Sequence, residues 1–115
     1  LTNTSLSMAL MRASNLSNAN LMNSDLSGAD LAYSDLRKAN LSYALLMKAD
    51  LKGANLREAD LGDADLSYAD LSYADLTLAN INGAKLEGVQ LDNAIWINGA
   101  ICGKNSIGIC RQSVQ

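Results

Sequence analysis

The sequence contains no histidine and no proline among its 115 residues. Without histidine, the many serines lack the side chain that most often serves as their general base. Two cysteines without histidine also cannot complete the usual set of zinc ligands. We therefore expect no catalytic residues, no metal site and no cofactor, and the protein is predicted not to be an enzyme.

Long apolar runs are also absent, although apolar residues make up 49% of the chain. A transmembrane helix needs about 20 consecutive apolar residues, and a signal peptide needs a shorter apolar core. We expect neither membrane insertion nor a signal peptide within this sequence. Because Leu1 already lies in phase with the repeat described below, the natural start is expected upstream or to have been removed.

The sequence also lacks an excess of basic residues. Nine Lys and Arg face 12 Asp and Glu, which gives a formal net charge of −3. A protein that binds DNA or RNA electrostatically should carry a basic face, so we expect no nucleic-acid partner. At this length one compact unit is expected.

An internal repeat of five residues is what the sequence does contain. Residues 59–73 read ADLGD, ADLSY and ADLSY, and the same phase runs from Leu1 to about Trp96. We name the five positions small, Asx (Asn or Asp), central (Leu), first variable and second variable. Repeats of this kind decide the fold, so they take priority over any single motif.

The period of five fits neither regular secondary structure. On an α-helix the central leucines would spread around the whole cylinder, and on a flat strand they would alternate between faces. A chain that turns a corner after every unit sends each central and small residue inward and the other positions outward. The pattern therefore predicts a coil whose core is a ladder of leucines.

The repeat, with Ala, Asp or Asn, and Leu in succession, resembles the pentapeptide repeat family over nearly the whole chain. This resemblance implies an all-β fold, a right-handed quadrilateral parallel β-helix of about five coils. The hydroxyl residues at small positions agree with four sides. Thr4 and Ser24, like Ser14 and Ser34, are twenty residues apart, so a coil of four pentapeptides stacks each pair in one column. The lack of proline also agrees, since stacked coils use their backbone N–H groups as donors.

Several apolar residues occupy outward positions. Leu10 replaces an Asx residue near the start, where it either contacts a preceding segment or reflects decay of the repeat at its end. Leu45 also breaks the Asx rule, and Met8, Met22 and Met47 are outward as well. These residues either form a small apolar patch or lie apart, and because scattered exposed apolar residues are normal, we do not expect a binding patch there.

Acidic residues recur because the motif supplies them, and local backbone bonding in turns is their ordinary role. Asp30, Asp50 and Asp70 should stack in one outward column, which either holds a cation or is neutralised internally. Lys48 and Lys52 flank Asp50 in sequence, and Arg37 and Arg57 stack in a nearby column, so internal neutralisation is favoured.

Some pentapeptide repeat proteins resemble a DNA duplex and bind DNA gyrase through a continuous acidic surface and a dimerising C-terminal segment. The present chain departs from that pattern, because its middle coils are interrupted by basic residues and its tail is short. Gyrase binding is therefore the alternative function. The basic residues concerned are Arg37, Lys38, Lys48, Lys52 and Arg57.

Four tyrosines form a possible interaction surface. Tyr33 and Tyr73 share a column with Gly53 between them, whereas Tyr43 and Tyr68 lie at other outward corners. Exposed tyrosines suit a protein interface, and they equally suit packing against neighbouring coils, so both interpretations stay open.

The repeat loosens from residue 81, and Trp96 takes a central position. We interpret Trp96 as a core plug on the last coil, because the open end of a solenoid needs covering. After it the phase slips by a residue. Asn105 and Ser106 suggest the start of a short helix through Cys110 and Arg111, against which Gly108 argues. The sequence thus divides into a β-helix, residues 1–100, and a C-terminal cap, residues 101–115.

Cys102 and Cys110 both follow the repeats. A cysteine pair in a small domain suggests a disulfide bond, and the segment 100–110 resembles the capped tail of pentapeptide repeat proteins from the thylakoid lumen. We therefore predict a disulfide-stapled cap and an oxidising compartment, the thylakoid lumen or another such as the periplasm. The predicted function is that of a monomeric, non-enzymatic scaffold or protein-interaction module whose partner the sequence does not name.

Overall fold

The computed structural model describes residues 1–112, in which the chain winds into stacked square coils. Parallel bridges join each Asx position to the one twenty residues later, from Ser5↔Asp25 through to Asp75↔Ile95. One coil therefore takes twenty residues, with one pentapeptide on each side. This confirms the predicted right-handed quadrilateral β-helix. Each strand is reduced to a single bridged residue, and the described residues include no helix.

Each corner of the square is a tight turn. In the turn that begins at Leu56, the N–H of Ala59 donates to the Leu56 carbonyl at 3.0 Å. The second variable residue, Glu58, has a φ of 59°. A positive φ at the third residue of the turn alone is the signature of a type II turn. Non-glycine residues hold this conformation because the hydrogen bonds to adjacent coils over-determine it.

All five N–H groups of an interior pentapeptide with Asn or Asp at its Asx position are donors, as in residues 56–60, which explains why proline is absent there. The central and second variable N–H groups donate to the next coil, the Asx N–H to the previous coil, the small N–H across the turn, and the first variable N–H to the Asx side chain. In residues 56–60 these bonds are Leu56 to Asp75 at 2.7 Å, Arg57 to Asn55 Oδ1 at 3.2 Å, Glu58 to Thr77 at 3.0 Å, Ala59 to Leu56 at 3.0 Å and Asp60 to Ala39 at 2.9 Å.

The core runs along the axis of the coils. Every central leucine from Leu21 to Leu76 is buried with an exposed fraction of 0–1%, and the small residues beside them are buried as well. The predicted inward orientation of the central and small positions is therefore confirmed. The first coil is looser, since Leu1 is 63% exposed and Leu6, Met11 and Leu16 are only partly buried.

The tail folds back over the last coil in the antiparallel direction. Its bridges are Gln90↔Ile107, Ile95↔Ile101 and Cys102↔Gln112. The suggested helix from Asn105 is wrong, because turns and isolated bridges occupy the described tail. The physical reason is that tail N–H groups donate to the coil instead, as Cys102 does to the Ala94 carbonyl at 2.8 Å.

The change of phase after Trp96 is visible in the backbone, because the left-handed residue is Gly99, with a φ of 84°, instead of residue 98. Trp96 packs against the core but is only partly buried. Its role as a plug, and the division into residues 1–100 and 101–115, stay predictions.

Candidate functional site

Apolar side chains fill the interior of the coils, so the residues that could bind a ligand or a partner are those of the outer surface. Within residues 1–112, no buried side-chain nitrogen or oxygen lacks a hydrogen-bond partner. The same part of the chain has no group of three or more Cys, Asp, Glu or His residues placed to hold a metal ion. No helix between residues 1 and 112 has the length and apolarity to cross a membrane.

Most carboxylates of the repeat are acceptors for the turn that follows them. Asp65 is typical, since its Oδ1 accepts from the Ser67 N–H at 3.0 Å and from the Ser67 hydroxyl at 2.6 Å. The hydroxyl bond, followed by the backbone bond, lowers the pKa of Asp65. These bonds confirm the expected local role of Asx residues, so the abundance of acid is not in itself a sign of catalysis.

The acidic column forms as predicted, with bridges joining Asp30 to Asp50 and Asp50 to Asp70. Its neutralisation comes from a residue that the sequence did not single out. Arg12 of the first coil reaches upward and places Nε 3.2 Å from Asp30 and Nη2 3.9 Å from Asp50.

The expectation that Lys48 and Lys52 neutralise the acidic column is wrong. The ion pairs among residues 1–112 include neither lysine. Lys52 instead lies over the Tyr73 ring, with Nζ 6.0 Å from its centroid. Closeness in sequence is a poor guide here, because both lysines lie at corners and Asp50 lies on the face between them.

Basic residues gather at one corner, which we call the Arg37 corner after its residues Arg37, Lys38 and Arg57. Arg37 pairs with Asp35 of its own pentapeptide at 2.7 Å, and that side-chain hydrogen bond lowers the pKa of Asp35. Arg57 reaches the next coil and lies 3.3 Å from Asp75. Together with Ser17, Asn18 and Glu58, these residues line an open hollow of about 350 Å³.

The four tyrosines do not form one surface. All occupy second variable positions and are 55–61% exposed, but Tyr33 and Tyr73 lie at one corner while Tyr43 and Tyr68 lie at two others. Their role as an interaction surface stays a prediction that the packing does not favour.

Individual tyrosines pack against glycines of the next coil. A Cβ built on Gly53 would lie 2.6 Å from Tyr33 ring carbons, and a Cβ on Gly88 would meet the Tyr68 ring in the same way. The Tyr68 hydroxyl also donates to Glu87 at 3.2 Å, and the charge of Glu87 raises the pKa of Tyr68. A large residue followed by glycine twenty positions later was the signal in the sequence that reveals this packing.

Two of the outward methionines line the same hollow. Met8 and Met47 line a second open hollow of about 350 Å³ with Ser7, Ser27, Gly28 and Lys48. Leu45 lies near Met47 in sequence and is 41% exposed. Because leucine has no acceptor, this position also lacks the turn bond that Asp25 makes to Ser27 at 3.0 Å. The fold thus brings Met8 and Met47 to the same corner, although they are far apart in the sequence. Met22 lies at another corner.

The two cysteines lie together in the tail, at disulfide distance. Their Cα atoms are 5.0 Å apart, within the range that a disulfide bond spans. Cys102 is fully buried in the core cluster, whereas Cys110 is only partly buried. Ser106, between them in sequence, is fully buried and donates its hydroxyl to the Gly103 carbonyl at 2.7 Å.

Comparisons with solved structures show several similar chains. A pentapeptide repeat protein of the Arabidopsis thaliana thylakoid lumen is 23% identical with a TM-score of 0.79, over 82% of this chain and 66% of that one. HetL, a pentapeptide repeat protein involved in heterocyst differentiation regulation in the cyanobacterium Nostoc, is 35% identical with a TM-score of 0.54, over 84% and 51% of the two chains. The present chain thus matches between about half and two thirds of the length of these relatives.

A search of curated proteins finds no match. The model of the pentapeptide repeats family matches in 8 copies, at residues 1–28, 24–63 and 59–95. This match spans all of the regular coils and agrees with the bridges at twenty-residue intervals. The chain therefore belongs to the pentapeptide repeat family.

Proposed function

We propose that the protein is a non-enzymatic scaffold that binds a protein partner through the outer surface of its coils. In this proposal residues 1–100 form the binding stack and residues 101–115 its cap. The supporting observation is that the interior already has a structural role. Central and small side chains fill the core, and backbone N–H groups bond from coil to coil. The variable positions alone are free to differ between coils, so partner recognition is assigned to them.

Surface charge supports an interaction module over a DNA mimic. A DNA mimic needs a continuous negative surface, but Arg12 bridges Asp30 and Asp50 within the acidic column. The Arg37 corner places further cationic side chains on another part of the stack, two of which pair with Asp35 and Asp75. Alternating patches of this kind give specificity for a complementary protein surface.

Affinity capture is the experiment that tests the scaffold. The full chain, immobilised through an added terminal tag, is incubated with a thylakoid-lumen or periplasmic extract, and retained proteins are identified by mass spectrometry. We expect a stoichiometric protein partner that is retained in 0.15 M salt. Retention of no protein above the level of a tag-only control would contradict the scaffold function.

The alternative, a gyrase-binding DNA mimic, predicts a different result. We expect no inhibition of DNA supercoiling by gyrase at micromolar protein, because the basic residues interrupt the acidic surface. Inhibition at that concentration would replace the scaffold by the DNA mimic. A variant in which Arg37 and Arg57 are both changed to glutamate serves as the comparison, since it removes part of the interruption.

We also infer an oxidising compartment, with the thylakoid lumen first and the periplasm second. The support is the cysteine pair at disulfide distance, since disulfide bonds persist mainly in such compartments. Similarity to the Arabidopsis lumen protein, at 23% identity, supports the fold alone. Alkylation without reductant of protein taken gently from its source should label neither cysteine, and two labelled thiols would contradict the compartment. A monomer is expected, and light scattering of the eluted protein tests it.

A further inference from the structure

We propose that Cys110 is the site at which a dithiol protein, of the thioredoxin type, attacks the capping disulfide, with Cys102 as the leaving sulfur. Such a reaction would make the cap a substrate for thiol–disulfide exchange. It goes beyond the scaffold function and depends only on the Cys102–Cys110 bond.

The two sulfurs differ in burial. Cys102 is 0% exposed and belongs to the core cluster. Its backbone is held on both sides, because its N–H donates to the Ala94 carbonyl and its carbonyl accepts from the Asn93 N–H, each at 2.8 Å. An incoming thiolate must reach the sulfur that it attacks. Because Cys102 is fully buried and Cys110 only partly so, Cys110 is the more accessible residue of the two.

The surroundings of Cys110 also favour an approaching thiolate. Its neighbours in sequence, Ile109 and Arg111, are both exposed. Arg111 directly follows Cys110 in the sequence and is exposed, so its positive charge belongs to the segment that an anionic thiolate of the partner approaches. An exposed isoleucine gives an apolar contact for the surface that surrounds the attacking cysteine of the partner.

The exchange balances in two steps. A thiolate of the partner attacks Cys110 Sγ, the bond to Cys102 breaks, and the electron pair leaves on the Cys102 sulfur, which takes up a proton from water. The second thiol of the partner then loses its proton and attacks the partner's own sulfur in the mixed disulfide. That step closes the partner's disulfide and releases Cys110, which takes up a proton. The partner dithiol is oxidised by two electrons and the cap disulfide is reduced by two.

Reduction should loosen the cap while leaving the coils intact. Hydrogen bonds still join the tail to the last coil, since the Leu91 N–H donates to the Ser106 carbonyl and the Gly108 N–H to the Val89 carbonyl, both at 2.7 Å. The Ser106 N–H also donates to Asp92 Oδ1 at 2.8 Å. These bonds belong to the tail and its adjoining coil alone, so the effect of opening the loop stays local.

A trapping experiment tests which sulfur is attacked. The oxidised full-length protein is mixed with a thioredoxin whose resolving cysteine is changed to serine, so that the mixed disulfide accumulates. Peptide mass spectrometry without reductant should locate the adduct on Cys110. An adduct on Cys102, or none at all, would overturn the proposal. The double variant Cys102→Ser with Cys110→Ser is the matched control and should give no adduct.

Hydrogen exchange tests the local consequence. After reduction, exchange of the Leu91 and Asn93 amides should rise on the order of 10- to 100-fold, as expected for loss of a short covalent loop. The Leu51 and Leu56 amides, which bond between interior coils at 2.8 and 2.7 Å, should be unchanged. Equal acceleration at all four amides would overturn the local cap. Partner capture is measured separately on oxidised protein, so failure of the scaffold function and failure of the exchange site are distinguishable.

Discussion

Replacement of Leu56 by alanine is the most direct test of the leucine ladder. Leu56 is 0% exposed and stacks between Leu36 and Leu76 in the central column. Loss of three methylene-sized groups removes about 2.4 kcal/mol of transfer free energy at about 0.8 kcal/mol each. Coils held by hydrogen bonds cannot close the gap, and a remaining cavity of about 60 Å³ adds about 1.5 kcal/mol. We therefore expect Leu56→Ala to lower the free energy of unfolding by about 4 kcal/mol, within the usual range of about 2–5 kcal/mol.

The next residue supplies the control. Arg57 is outward and half-exposed, and its ion pair with Asp75 at 3.3 Å is a surface contact. Exposed pairs contribute about 0.2–1 kcal/mol, so Arg57→Ala should lower the free energy of unfolding by less than about 1 kcal/mol. Urea unfolding, followed by circular dichroism and by Trp96 fluorescence, measures both variants. Equal shifts in the unfolding midpoint would refute the inward and outward assignment.

Three further changes test the corners and the turn bonds. Gly53→Ala should lower the free energy of unfolding by about 1–3 kcal/mol, because its Cβ meets the Tyr33 ring and because its φ of 67° is positive. Tyr33→Ala should relieve the part of that loss that comes from the ring in a double-mutant cycle, and fully additive losses would contradict the packing. Leu45→Asn should raise the free energy of unfolding by about 0.5–1.5 kcal/mol, measured by urea unfolding, because it restores a turn acceptor. The pKa of Asp65 is lowered in the folded state, so its contribution to stability is present above the unfolded pKa and is lost as pH falls through the folded pKa. Ser67→Ala should raise the pKa of Asp65 in an NMR titration, and an unchanged pKa would show that the hydroxyl bond is not its cause.

The interior of the coils was predictable from the sequence because a single constraint acts on it. The spacing from Leu21 to Leu76 never varies, and a five-residue period has only one simple way to bury every central residue on one side. Asx residues were predictable for the same reason, since each bonds a turn two residues away. Exceptions to the Asn or Asp preference, such as Leu45, could be identified from the sequence, whereas the residues that surround them in space could not.

Pairings on the surface were not predictable in the same way. Arg12 reaches Asp30 and Asp50 across two coils. Lys52, which is only two residues from Asp50 in the sequence, lies over the Tyr73 ring instead. Long side chains have many rotamers, and the choice among them depends on corners and faces that exist only after the coils have stacked. The glycines opposite large residues belong to an intermediate case, because the twenty-residue spacing was available once the coil size was known.

By itself the sequence determined the period and the inward and outward positions, because each follows from one repeated local rule. The four sides were implied by the resemblance to the pentapeptide repeat family, and the bridges at twenty-residue intervals show them. Only the tertiary structure decided the path of the tail, where the repeat stops and no period constrains the chain. Antiparallel bonds to the last coil replaced the suggested helix and buried Cys102 more deeply than Cys110. The physical reason is that the last coil leaves N–H groups without acceptors and apolar side chains uncovered. Long-range contacts decide which segment of the chain bonds to these groups and covers this end.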